Sequence, residues 1–111
     1  MKKAFEFLKK LEKNNNREWF AQHKAEYDSV VKENKTLFHK IYTELQEHDN
    51  LKGIHIFRIY RDVRFSKNKD PYKTWFAAGI SVDGRKLAGP EYYIHIQPDG
   101  TFIAVGYWRP E

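Results

Sequence analysis

LQEHDNLKGIHIFRIY, residues Leu45–Tyr60, is where the periodicity of this chain changes. Ahead of it, Trp19, Phe20, His23, Tyr27, Val30, Val31, Leu37, Phe38, Ile41, Tyr42 and Leu45 keep the three-to-four spacing of a helix, down to about Glu47. His48–Gly53 ends that pattern. From Ile54 the period is two and the residues are β-branched and aromatic, so Ile54–Tyr60 reads as a strand. Helices first and strands second predict an α+β fold. Two N-terminal helices (3–48) would pack on one face of a mostly antiparallel sheet of about four strands (54–108).

Outward from this junction, Ala4, Phe5, Leu8 and Leu11, with Phe7 beside them, predict an amphipathic helix over roughly residues 3–13. Asn14, Asn15 and Asn16 break it. With Asn15 as the next N-cap, Glu18 falls at the third helical position, a variant capping box. The weak helix formers Asn34 and Thr36 allow a kink or break near residues 33–36 of the second helix. Downstream, Lys67–Pro71 reads as a loop and Thr74–Val82 as a strand, with Asp83-Gly84 as turn chemistry after it. Gly89-Pro90 marks a further loop. Tyr92–Gln97 and Thr101–Tyr107 then form a hairpin through Pro98-Asp99-Gly100.

A chain of 111 residues with 41% hydrophobic and 16% aromatic residues suffices for one domain with a modest core. There is no cysteine, which excludes a disulfide scaffold, thiolate zinc sites and a Cys nucleophile, and suits a reducing, cytoplasmic setting. MKKAFEFLKKLEK lacks the apolar run and cleavage site of a signal peptide, and no stretch approaches the roughly 18 apolar residues of a membrane span. A net charge of +5 points to an anionic partner.

That charge is concentrated. Between Ile56 and Phe76, in IFRIYRDVRFSKNKDPYKTWF, Arg58, Arg61, Arg64, Lys67, Lys69 and Lys73 face only Asp62 and Asp70, six positive charges against two negative. Were the stretch extended, Arg58 and Arg64 would share one face with Tyr60 and Asp62, opposite Phe57, Ile59, Arg61, Val63 and Phe65. Arginine grips carboxylate or phosphate with two parallel bonds and lysine adds point charge, while Tyr72 and Trp75 offer faces for stacking. Arg17, at the start of the second helix, would join them if that helix start packs on the loop. The alternative is structural: the arginines pair with helix carboxylates such as Glu18 or Glu26, and the aromatics are core.

His23, His39, His48, His55 and His95 show no metal-ligand spacing, and no phosphate loop or nucleophile elbow is present, so neither metal nor cofactor is expected. His95 and His23 are the candidates for a general base. The leading reading is a binding domain for a small anionic or phosphorylated ligand. The alternatives are an enzyme acting on a phosphorylated or acidic substrate, a nucleic-acid binder, and a protein-interaction module for an acidic partner. Acidic residues spread over the helices, among them Glu12, Glu26, Asp28, Glu33 and Glu44, weigh against a nucleic-acid face.

NNNREWF (Asn14–Phe20), RIYRDVRFSKNKDPYKT (Arg58–Thr74), YYIHIQPDG (Tyr92–Gly100) and the closing GYWRPE together resemble the bacterial and fungal proteins grouped as domain of unknown function 2461. The similarity is collinear over nearly the whole chain. It implies an α+β fold and carries no activity. It also implies a longer architecture continuing past Trp108-x-Pro110 into a largely helical part. This chain would then be either a short member or the N-terminal half, and in the second case its partner could be intramolecular, in the other half.

Overall fold

Ala4, Phe7, Leu8 and Leu11 recur on one side of helix α1 (Lys2–Lys13), and all four are buried. A computed structural model describes residues 2–48, 50–82 and 92–105. The expected second helix is divided: α2 (Arg17–Gln22) and α3 (Lys24–Gln46) meet at His23, whose φ of −113° and ψ of 20° are not helical. The break has a local cause. The His23 ring stacks on Trp19 at 4.0 Å, and its Nδ1 lies 2.8 Å from the Trp19 carbonyl oxygen. That acceptor requires a proton on Nδ1. No kink occurs at residues 33–36, where α3 runs through. Its stripe of Val30, Asn34 and Phe38 packs inward, and tertiary burial outweighs the weak propensity of Asn34 and Thr36.

The sheet is an antiparallel meander of β1 (Leu51–Ile56), β2 (Phe76–Val82), β3 (Tyr92–Ile96) and β4 (Phe102–Val105), in that spatial order. The fold is α+β, with the helices on one face. β1 begins three residues before the predicted Ile54, because Leu51 pairs with Val82 across an irregularity that ends at Gly53. The register aligns Ile54 with Ile80 and Tyr92, Ile56 with Ala78 and Ile94, and Phe76 with Ile96. These residues share the helix-covered face and join Phe7, Leu8, Phe20 and Phe38 in one buried cluster. Each fully buried Phe or Ile there contributes about 1.5–3 kcal/mol. The opposite face carries His55, Tyr93, His95 and Phe102. The hairpin through Pro98–Gly100 is present. Asp83-Gly84, Gly89-Pro90 and the segment from Gly106 to Glu111 lie outside the described residues.

The strand expected over Ile54–Tyr60 stops at Ile56. Phe57 N–H still donates to the Ala77 carbonyl at 3.0 Å, and then the regular ladder ends. Farther out, one isolated bridge pairs Tyr60 with Tyr72, flanked by Lys73 N–H to Ile59 O (2.7 Å) and Arg61 N–H to Pro71 O (3.0 Å). Pro71 has no N–H to extend the pairing. The basic motif is therefore the irregular tip of one long β1–β2 hairpin.

Candidate functional site

The tip holds its shape with its own charged side chains. Asp62 accepts from the Arg64 backbone N–H (3.2 Å) and from both Nε (3.0 Å) and Nη2 (2.8 Å) of the Arg64 guanidinium. This bidentate partner holds the Asp62 carboxyl below the ordinary aspartate range. Lys69 Nζ donates to the carbonyls of Val63 (2.6 Å) and Arg64 (3.4 Å). Arg61 donates to the Asp70 carbonyl (3.0 Å) and the Ser66 hydroxyl (3.4 Å). Lys73 Nζ donates to the Arg58 carbonyl at 2.7 Å, and partial burial pushes its pKa down. A segment without a ladder has orphan carbonyls, and these cations satisfy them. Because the acceptors are neutral, the positive charge is not cancelled.

The three consecutive asparagines divide the work of joining this tip to the helices. Asn14 Nδ2 donates to the Lys10 carbonyl (2.9 Å) at the end of α1. Asn16, rather than the predicted Asn15, is the N-cap of α2: its backbone is extended, and its side chain accepts from Trp19 N–H at 2.8 Å. Asn15 instead pairs with Tyr72 across the fold. Its Nδ2 donates to the Tyr72 carbonyl (2.9 Å), and its Oδ1 accepts from the Tyr72 N–H (3.1 Å). Tyr72 itself is buried, its ring stacked on Phe20 at 4.1 Å, and burial raises its phenol pKa.

Asn15–Glu18 and the tip thus face each other across an open cleft of about 910 Å³. Arg17 and Glu18 line one side. Arg61, Lys69 and Tyr72 line the other, with Tyr60, Val63 and Pro71 supplying apolar and aromatic wall. The helix start and the loop share one pocket, as the sequence reading anticipated if they packed together. With α2 only six residues long, the charge in the cleft comes from side chains rather than from a helix dipole.

The remaining predicted site residues go elsewhere. Arg58 lies outside the cleft, its guanidinium 5.1 Å over the Tyr60 ring, and lines a separate cavity against α3. Arg64 is exposed and committed to Asp62. Lys67 is exposed on the tip and does not line the cleft. Lys73 faces Phe57, and Trp75 stacks on His95 at 5.9 Å. The expected parity of Arg58 and Arg64 fails because regular pairing ends at Phe57. Nor do the arginines staple helix carboxylates: among the described residues Glu26 pairs with Lys10, and neither Arg58 nor Arg61 forms an ion pair. Asn15, Asn16, Glu18, Tyr60, Val63 and Pro71 line the cleft without being among the predicted site residues. Only the run of three asparagines hinted that more than a helix cap was needed.

Neither histidine candidate lines the cleft. His95 is held between the Tyr93 hydroxyl (3.0 Å from Nδ1) and Gln97 Oε1 (2.8 Å from Nε2), with Phe102 stacked at 4.9 Å. His23 is spent on the α2–α3 junction. Among the described residues no group of three or more His, Asp or Glu side chains is placed to hold a metal ion, and no helix is long and apolar enough to cross a membrane.

No curated protein and no solved structure matches this chain. A family model does, over residues 3–111, under the description conserved hypothetical protein. It spans both walls of the cleft and the hairpin that carries the basic tip, and by that match the chain belongs to the DUF2461 family.

Proposed function

We propose that the cleft binds a small anionic ligand, a phosphorylated or carboxylated molecule with an apolar part. One observation carries this reading. Arg17, Arg61 and Lys69 reach the cleft from segments far apart in sequence, and Glu18 is the acidic residue lining it. Arg61 and Lys69 are oriented by neutral acceptors, which hold them in place without a counter-charge. Fixed donors lose little freedom on binding, which favours affinity. Tyr60 and Tyr72 provide wall for the uncharged part of the ligand. A cytoplasmic pool of phosphorylated or acidic metabolites is the source we favour, the compartment a cysteine-free chain suits. No proton transfer is assigned, since His23 and His95 lie away from the cleft.

The test is an amide NMR titration with sulfate, nucleotides and a short oligonucleotide at two salt concentrations. Saturable shifts at Arg17–Glu18, Tyr60–Arg61 and Lys69–Tyr72 are expected, strongest with a nucleotide. Absent shifts, or diffuse ones that vanish at moderate salt as counterion-driven association does, would refute it.

A further inference from the structure

The inward stripe of α3 runs through Tyr27, Val30, Asn34 and Phe38, and one member is out of character. Asn34 is 5% exposed, and its carboxamide has no hydrogen-bond partner among the described residues. A buried amide left unpaired is costly, and a leucine at this helical position would remove that cost and add apolar burial. The fold does not require asparagine here. Asn34 lines a cavity of about 190 Å³ between α3 and the outer end of β1, apart from the basic cleft. The rings of Tyr27, Phe38 and Phe76 form its walls with Ile56. Two exposed cations, Lys35 and Arg58, also line it. The Arg58 guanidinium leans over Tyr60 and has no carboxylate partner among the described residues.

We propose that this cavity is a second binding site, for a small aromatic carboxylate bearing a hydrogen-bonding ring substituent. The ring would lie among Tyr27, Phe38 and Phe76. The substituent would pair with Asn34, and the carboxylate would meet Arg58 and Lys35. Size supports this class. An apolar cavity of about 150 Å³ holds a benzene ring, so 190 Å³ admits one substituted ring. The chemistry differs from that of the cleft, where charge dominates. Here apolar side chains would flank the ring, one amide would read a polar group, and the cations would select an acid over its neutral amide.

The experiment titrates the full chain with 4-hydroxybenzoate, benzoate and 4-hydroxybenzamide, followed by amide NMR and calorimetry. Saturable shifts at residues 31–38 and 56–58, with Arg17 and Lys69 unmoved, are expected. Hydroxybenzoate should bind about tenfold more tightly than either analogue, the scale of one hydrogen bond to a charged or buried polar group. Arg58→Gln should abolish the preference for acid over amide. Asn34→Leu should weaken hydroxybenzoate about tenfold, to the level of benzoate, and raise the Tm of the free protein. If Asn34→Leu fails to fold, Arg58→Gln at an exposed position still decides. Three outcomes would overturn the proposal: no binding by any probe at millimolar concentration, as expected if Asn34 holds a water only; equal binding of acid and amide; or shifts confined to the basic cleft.

Discussion

Replacing Asn15 by alanine should loosen the tip from the helices, and the size of the effect follows from the geometry of one bridge. Tyr60 and Tyr72 face each other between the Lys73–Ile59 and Arg61–Pro71 bonds, so the N–H and C=O of Tyr72 point away from the neighbouring strand. The Asn15 carboxamide meets both, at 3.1 and 2.9 Å. It acts as a one-residue strand edge, a task that needs a donor and an acceptor on one planar group. Each such bond is worth about 0.5–1.5 kcal/mol net, so Asn15→Ala should cost about 1–3 kcal/mol. Urea unfolding should show a lower midpoint with unchanged slope. Hydrogen exchange should show the Tyr72 amide losing protection in the native state. Asn15→Asp keeps the acceptor but sets a carboxylate against the Tyr72 carbonyl, and should also be destabilising. Asn16→Ala is the matched control: it removes a helix cap worth about 1 kcal/mol and should leave the Tyr72 amide protected. If Asn15→Ala leaves Tyr72 protection and the midpoint unchanged, the bridge does not join the two halves.

The other predictions concern charge, core and surface. Asp62 should titrate below the ordinary aspartate value, and Arg64→Ala should return it, as read by carboxyl carbon NMR. Because the folded pKa is the lower one, its stabilising contribution is present above about pH 4 and lost as pH falls through the folded value. The Arg64→Ala variant should therefore show a shallower acid limb in its stability profile. Ile80→Ala empties a fully buried position between β1 and β3 and should cost about 2–5 kcal/mol by urea unfolding. Phe65, 95% exposed at the tip, should tolerate Phe65→Ser within about 0.5 kcal/mol, and a larger loss would mean that its ring packs in solution.

Periodicity revealed what depends on near neighbours. The stripe of α1 and the change of period after Leu45 are local properties of the chain, and they led to helices on one face of an antiparallel sheet. Three features depend on specific side-chain partners, near or distant, and could not be read this way. Three identical asparagines took three roles because only folding brings Tyr72 beside Asn15. The break at His23 follows from its stack on Trp19 and its bond to the Trp19 carbonyl, stronger local terms than the propensities of Asn34 and Thr36. Asn34 was visible at the correct spacing for the buried stripe. Propensity alone marks it as a weak helix former, whereas its position makes it a buried polar group.

The basic cluster shows a different limit. Strand alternation assigned sides to the arginines, but alternation holds only while a ladder holds, and here it ends at Phe57. Beyond that residue the orphan carbonyls of Val63, Arg64, Asp70 and Arg58 recruit Lys69, Arg61 and Lys73. The structural and ligand-binding readings of these cations therefore do not compete. A lysine held by a neutral carbonyl shapes the loop and still presents its full charge to the cleft. An anion that draws on Arg61 and Lys69 must engage side chains that also fold the tip, so binding and local tip stability are thermodynamically linked. By the same linkage, neutralising either residue would remove a loop fastener along with the proposed ligand contact. Charge density along a sequence can mark where such a site lies, but the carbonyls left over by a broken ladder decide which of the charges face it.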